Sequence, residues 1–435
     1  MEKLLIMGVN TRGLINSASK LPYQTYSVSY YFTIDCKTPY QDKHVLNQKS
    51  GKSCGFFETN YSPQKLLSLS SQYLENTDYI VLSAGISPND FKGEFREYKK
   101  KIIGNTKTKD IEDKYRFYKK IKNKYLTPKT FKIKYKNDAN NDYSNVSEAI
   151  EIAKQYEGTA FIVKPLEGSG GYGVSYLKYS KGNEFKNSLI ALKEKYSNYE
   201  DCDFLVQEYI QGTNISSSVL STNREAKTLV VSRMLTESDF GKKNSFRYCG
   251  NIVPLNCSNN INMKQINNIS EEIISKFKLI GSNGIDMIID KDSTFDAKNS
   301  KFNDENSAFD EPYIIEVNPR FQGTYECIEE ILEINLLDAH IKACAGELIE
   351  IPKPDPNEYS NKRIIYSNEK IKAGNLNINN NIHDIPLKGA IIEKDEPLIT
   401  IVTSKDSFKN AENIIKDSIR KIDENIISLN NSNKN

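Results

Sequence analysis

Apolar residues in the first 105 positions fall in short runs that end at glycines or polar turns. Lys3–Met7 stops at Gly8, Tyr26–Tyr31 alternates as a second strand, Tyr79–Ser83 leads to Ala84-Gly85, and Lys101–Ile103 leads to Gly104. Between the first two lies a helix-like stretch, Leu14–Lys20. Strands that end in glycine and lead into helices predict a parallel α/β sheet. From 106 to 126, aromatics recur at helical spacing among charges, which predicts one helix stopped by Leu126-Thr127-Pro128. The polar run 136–145 predicts a loop, and Ser147 is placed to cap a short helix reaching Tyr156. Strands follow at Ala160–Val163, Gly173–Leu177, Phe204–Val206 and Thr228–Met234, and Ile266–Leu279 has the periodicity of an amphipathic helix. Gly284–Ile289 and Tyr313–Val317 pair as strands across a polar segment, 290–311, that predicts an exposed or disordered loop. Tyr325–Ala345 is helical in pattern. After a proline-rich linker at Pro352–Pro356, short strands at Arg363–Tyr366, Gly389–Ile392 and Leu398–Val402 precede a helix starting at Ser407.

Composition narrows the class. A chain of 435 residues, 38% of them hydrophobic, has room for two or three cores. A formal net charge of +2, with charges interspersed, favours neither nucleic acid nor an anionic membrane as partner. No apolar run has the length of a membrane span, and the start MEKLLIMGVN is too short for a signal peptide. Seven scattered cysteines without a CxxC pair, and three histidines, predict reduced thiols in a cytoplasmic protein and no zinc site.

Two stretches carry chemistry. In Phe161-Ile-Val-Lys-Pro-Leu-Glu-Gly-Ser-Gly-Gly-Tyr-Gly-Val174, a strand ends at Lys164 and glycines follow at 168, 170, 171 and 173. Such a loop can bring backbone N–H groups against phosphate oxygens, with Lys164 adding positive charge. No GK[ST] follows, and the next element is a strand, so neither a P-loop nor a dinucleotide fingerprint fits; a flexible hairpin without a ligand is the competing reading. In Tyr313-Ile-Ile-Glu-Val-Asn-Pro-Arg320, Glu316 and Asn318 share one strand face, Pro319 ends the strand and Arg320 stands at its mouth. The neighbouring Gly284-Ile-Asp-Met-Ile-Ile289 offers Asp286 as a third oxygen ligand, a set suited to Mg2+. A solvent-facing edge strand is the alternative, but polar residues set in otherwise apolar runs argue against it.

VKPLEGSGGYGV, the segment Val206-Gln-Glu-Tyr-Ile-Gln-Gly212, and EVNPR preceded by GIDMII occur in the order and spacing of the ATP-grasp superfamily, and the resemblance covers most of the chain. It implies an α/β, partly α+β, ATP-grasp fold. This comprises a Rossmann-like N-terminal domain (1–105), an ATP-grasp domain (106–350) with a lid subdomain at about 146–212, and a small β-rich C-terminal region with a closing helix (351–435). Gly8-Val9-Asn10-Thr11-Arg12, His383-Asp-Ile-Pro386 and Glu396-Pro-Leu-Ile-Thr-Ile-Val402 resemble the branch described as predicted ATP-dependent carboligases related to biotin carboxylase.

The resemblance further implies ATP and one or two Mg2+ ions, with Mn2+ as an alternative. Lys114, Lys164, Glu167, Gly168, Ser169, Gly170 and Gly171 would then meet the phosphates, and Gln207, Glu208, Tyr209, Ile210 and Asn214 the rest of the nucleotide. Asp286, Glu316 and Asn318 would hold the metal, and Arg320 and Lys164 would act in catalysis. Two departures stand out. Thr213-Asn214-Ile215 follows Gly212 where many members have a ribose-binding acid, and Asp286 stands where many have Glu. The implied reaction is ligation of a carboxylate to an amine, or a thiol, through an acyl phosphate. Asn10, Thr11, Arg12, Arg233 and Arg247 are the candidate substrate ligands, and Gln322, Thr324 and Glu326 candidate acceptor-pocket residues. A surface role is as good a reading for Arg247, and helix capping a better one for the last three. Carboxylation through carboxyphosphate, release of a phosphorylated product, and a non-catalytic nucleotide-binding module remain open. The implied partners are a small carboxylate and an amine, not nucleic acid or membrane, with room for a homodimer.

Overall fold

A computed structural model describes residues 1–37, 40–135, 147–166, 168, 170–179, 202–255, 262–290, 311–355, 357–377, 379–405 and 407–429. The loops expected over 136–145 and 291–310, and the candidate ligands Glu167 and Ser169, lie outside these residues.

The N-terminal sheet is parallel throughout, in the order Gln41–His44, Tyr23–Ser29, Glu2–Gly8, Tyr79–Leu82. Leu4, Leu5, Ile6 and Met7 are fully buried, each contributing about 1.5–3 kcal/mol of burial energy, as a central strand covered on both faces requires. Lys101–Ile103 is no strand. Gly93–Lys101 forms 3-10 turns, because this run has no alternation to present to a core, and only Ile102 bridges to Ile80.

The expected helix over 106–126 is two, Lys109–Glu112 and Lys114–Ile121. Asp113 divides them: its carboxylate caps the second helix by accepting from the amides of Tyr115 and Arg116. This break sets Lys114 in the first turn, facing the cleft. Tyr325–Ala345 is likewise divided, into Tyr325–Leu332 and Leu336–Cys344, by Glu333 in a left-handed conformation (φ 51°) and an Asn335 cap.

Eight antiparallel strands form the central sheet, in the order Tyr313–Asn318, Gly281–Asp290, Gly212–Ser221, Ala226–Thr236, Tyr248–Val253, Tyr359–Tyr366, Pro397–Lys405, Ile382–His383. The sheet therefore continues past residue 350, and the C-terminal strands extend the floor of the cleft. The helix Met263–Lys276 buries Ile266, Ile269, Ile273 and Ile274 in a core shared with Ile215, Val231 and Ile285 of this sheet. A second antiparallel sheet, in the order Thr130–Tyr135, Cys202–Glu208, Ala160–Pro165, Ser175–Lys178, packs with the helix Ser147–Gln155 around Phe161, Val163, Leu177 and Phe204. Three short strands, Ile391–Ile392, Ile371–Ala373 and Ile426–Ser428, form a fourth sheet beside the helix Phe408–Asp423. Among the described residues, no helix is long and apolar enough to cross a membrane.

Candidate functional site

A cavity of about 630 Å3 lies between the two antiparallel sheets and is closed on one side by the N-terminal domain. Strand register builds its most charged wall. Asp286 stands directly opposite Glu316 on one neighbouring strand and Ser216 on the other. The Ser216 hydroxyl donates to Asp286 Oδ1 at 2.6 Å, and Asn318 Nδ2 donates to Asp286 Oδ2 at 2.9 Å. Burial, then the charge of Glu316, pushes the Asp286 carboxyl well above its usual range. Burial acts on Glu316 in the same direction, but Lys114 and Lys164 outweigh it and keep Glu316 ionised. Lys114 Nζ lies 3.2 Å from Glu316 Oε2. Two opposed, half-buried carboxylates with an amide beside them, repelling each other strongly enough to perturb one, form an oxygen-rich set that fits a hard divalent cation.

Lys164 ends the strand Ala160–Pro165 and is 8% exposed. Burial pushes its ammonium down to about 8 against the pull of Glu316, with Lys114 adding repulsion. Two lysines in one pocket, only one of them paired within 4 Å among the described residues, leave positive charge available for an anion. The glycine loop begins just beyond Lys164. Gly170, Gly171 and Gly173 have φ of 68°, 76° and 70°, the region glycine enters without strain. The loop rests on the opposite wall: the Tyr248 amide donates to the Gly170 carbonyl at 3.0 Å, and Lys114 Nζ donates to the Gly168 carbonyl at 3.0 Å. A Cβ on Gly171 would stand 2.0 Å from the Phe246 carbonyl oxygen. The loop thus sits closed over the cavity.

At the other end of the cavity, Gln207, Glu208, Tyr209, Ile210 and Asn214 all lie on the wall. Gln207 Nε2 donates to Thr130 Oγ1 at 2.9 Å, and Glu208 Oε2 accepts from the Lys129 amide at 3.2 Å. The amides of Glu208 and Tyr209 donate to the carbonyls of Lys129 and Ala160. The Tyr209 ring is held edge-on to Tyr176 and Phe246.

Arg320 donates to the Phe321 carbonyl at 3.0 Å and to Asn318 Oδ1 at 3.1 Å. Burial lowers its pKa, while Glu316 and Asp286 support its charge. A network of neutral groups lies further along the wall. Gln322 Nε2 donates to Ser216 Oγ at 2.8 Å, and Ser218 Oγ donates to Gln322 Oε1 at 2.6 Å and lies 3.2 Å from Thr324 Oγ1. Gln322, Thr324 and Glu326 all line the cavity.

The candidate substrate ligands separate. Asn10 and Arg12 line the cavity, but Arg12 is 3% exposed and already paired: Nε lies 2.7 Å from Asp384 and NH1 lies 2.6 Å from Glu326. Thr11 turns inward to Ser27 at 2.8 Å, because it stands against the buried face of the sheet. Arg233 pairs with Asp239 at 2.8 Å on the solvent side, since Met234, its neighbour on the strand, takes the cavity face. Arg247 is engaged by Glu237 and lies over the Tyr366 ring at 3.9 Å. The structure brings neither Arg233 nor Arg247 to the cavity wall. Sequence reasoning missed Ser216, Tyr248 and Asn251, and Lys362 with Asp384, all of which line the cavity, and Ser218, which bonds the lining residue Gln322. The serines sit in Gly212–Ser221, a central strand too polar to read as one. Its alternating partners on the adjacent GIDMII strand were the available signal.

The comparisons agree with this geometry. Residues 111–324 match the ATP-grasp domain family. An uncharacterised protein of Methanocaldococcus jannaschii is 30% identical over 419 residues, covering 95% of this chain and 91% of that one. Among solved structures, Rhizobium etli pyruvate carboxylase is similar at a TM-score of 0.66 with 15% identity; it covers 97% of this chain, which spans only 37% of its length. The biotin carboxylase domain of Hydrogenobacter thermophilus 2-oxoglutarate carboxylase gives a TM-score of 0.66, with 15% identity over 96% of this chain and 89% of that one. The L-amino acid ligase of Bacillus licheniformis gives 0.63, with 15% identity over 99% of each chain. With the carboxylate pair, the two lysines and the closed glycine loop in one cavity, these matches show that the chain belongs to the ATP-grasp family.

Proposed function

We propose that this protein is an ATP-dependent carboxylate–amine ligase that works through an acyl phosphate. ATP with Mg2+ is the nucleotide of its family, and the coarser statement, an ATP-dependent enzyme of the ligase and carboxylase class, follows from that membership. Lys114 and Lys164 bind the phosphates, and the amides of the glycine loop cover them. Asp286, Glu316 and Asn318 would hold Mg2+, and the ion would neutralise charge on the phosphate oxygens. A substrate carboxylate oxygen attacks the γ-phosphorus, the bond to the β-phosphate oxygen breaks, and ADP leaves. An amine nitrogen then attacks the acyl carbon, with Arg320 facing the charge on the carbonyl oxygen. The bond to the phosphate breaks, and phosphate departs with one of the amine's protons. The closed loop keeps water from the acyl phosphate.

The observation that carries this reading is one cavity that gathers Lys114, Lys164, the glycine loop and the opposed carboxylates of Asp286 and Glu316. ADP release by the purified protein, with panels of carboxylates and amines and with bicarbonate, tests the assignment. Release that needs both a carboxylate and an amine supports it. Full turnover with bicarbonate and no amine, giving a stable carboxylated product, overturns it.

A further inference from the structure

Away from the carboxylate pair, the cavity has a lobe of different character. It lies between the N-terminal domain and the C-terminal strands. The segment Tyr31–Asp35 is docked there on Asp384–Ile385: the Ile34 amide donates to the Ile385 carbonyl, and the Asp35 carboxylate accepts from the amides of both Asp384 and Ile385 at 3.0 Å. One wall is aromatic. Tyr31, Phe57, Tyr172 and Tyr366 line it, Phe57 stacks on Tyr31 with ring centroids 6.0 Å apart, and Tyr172 of the glycine loop reaches Phe57 at 5.1 Å.

The other wall is a buried ion network. Arg12 bonds Asp384 and Glu326 and lies 3.5 Å from Asp35, and Lys362 Nζ lies 2.6 Å from Glu326 Oε2. Three carboxylates face two cations, so the network carries one surplus negative charge unless His383, whose Nδ1 lies 3.8 Å from Asp35, is protonated. At Asp384, Oδ1 accepts from both Arg12 Nε and Asn10 Nδ2, whereas no described residue donates to Oδ2. The Arg12 guanidinium holds this carboxyl well below the usual range despite its burial, so it stays charged. Asp384 lines the cavity, so this oxygen is open to a donor there.

We propose that this lobe is the acceptor site and that it takes an arylalkylamine, whose flat ring packs against Tyr31, Phe57 and Tyr366 and whose amino group donates to Asp384 Oδ2, an inference that rests on the ligase reading. A planar ring suits aromatic side chains in stacked or edge contacts, and a protonated amine gains further from the ring faces. An anionic ligand would meet the surplus carboxylate and be repelled. Tyr172 adds a coupling. Because it belongs to the glycine loop, the lobe is completed only when the loop is down.

Calorimetry on the full chain saturated with Mg-ADP tests this with three probes of matched size. 2-Phenylethylamine should bind at least about 10-fold more tightly than 2-cyclohexylethylamine, which keeps the amine without a flat ring, and than 3-phenylpropionate, which keeps the ring with the opposite charge. D384N should weaken phenylethylamine binding by about 10-fold or more. Y31L, which leaves the ion network intact, should remove the preference for phenylethylamine over cyclohexylethylamine; unchanged Mg-ADP affinity in each variant shows that the nucleotide half is folded. Equal binding of the three probes, or tightest binding of 3-phenylpropionate, overturns the proposal. So does ADP release driven by a purely aliphatic amine with no phenylethylamine binding, but that result leaves the ligase reading standing. Full turnover on bicarbonate alone removes the ligase reading itself.

Discussion

Replacing Gly171 by alanine tests whether the glycine loop must lie down for turnover. In the closed loop Gly171 has φ +76°, and an added Cβ would come within 2.0 Å of the Phe246 carbonyl oxygen, a backbone atom on a strand connection that cannot turn aside. A left-handed conformation costs a residue with a Cβ about 1–2 kcal/mol. Pushing the loop away also breaks the bond from the Tyr248 amide to the Gly170 carbonyl, worth about 1 kcal/mol. Together these disfavour the closed loop by about 2–3 kcal/mol, which lowers turnover roughly 30- to 150-fold if only the closed form reacts. The loop contributes little to the cores, so thermal unfolding should shift by less than about 2 °C. Steady-state ADP release, a melting curve and Mg-ADP affinity measured on one preparation separate these effects. Wild-type turnover in G171A would refute the reasoning, and so would a large drop in melting temperature, which would make the loop structural.

K164A should weaken ATP binding at least about 10-fold by calorimetry, because a charge-assisted phosphate contact contributes over about 1.4 kcal/mol; equal affinity would remove Lys164 from the site. E316Q keeps shape and hydrogen bonding but deletes a charge of the metal pair, so it should fold as wild type and lose turnover; retained ADP production with an unchanged magnesium requirement would make the strand merely structural. His340 gives a pH dependence. It is 3% exposed, its Nδ1 accepts from the Ser282 amide at 2.8 Å, and burial pushes its pKa from 6.5 down to about 4, only partly opposed by the Ile103 carbonyl. The unfolded chain takes up this proton first as pH falls, so stability present above pH 6.5 is lost progressively toward pH 4, by up to about 3 kcal/mol. Urea midpoints at pH 6.5 and 5 should show the loss, and H340N should flatten it.

The sequence made the nucleotide half of the cleft legible because its chemistry is local. EVNPR sets Glu316 and Asn318 on one strand face by alternation, and the glycines after Lys164 declare a loop that only backbone can fill. Asp286 follows from the partner strand, and the register places it opposite Glu316. The opposite end of the cavity resisted because its parts come together only in three dimensions. Arg12 looked like a free substrate ligand, yet it meets Asp384, 372 positions away. Arg233 sits on a strand and Arg247 just before one, and alternation turns the first, a nearby acid the second, from the cavity. Gly212–Ser221 lacks the apolar pattern of a central strand, because Ser216 faces the cavity and Ser216 and Ser218 bond Asp286 and Gln322. The helix over 106–126 was misjudged by one residue of chemistry: Asp113 looks like part of a charged face but acts as a cap.

Oxygen transfer tests the central claim most directly. With a carboxylate–amine pair that supports ADP release, the carboxylate is labelled with 18O and the product phosphate is analysed by mass. Attack of the carboxylate on the γ-phosphorus predicts phosphate carrying one 18O from the substrate for each ADP formed. Unlabelled phosphate, with ADP still formed at the full rate, would contradict an acyl phosphate and the ligase mechanism built on it.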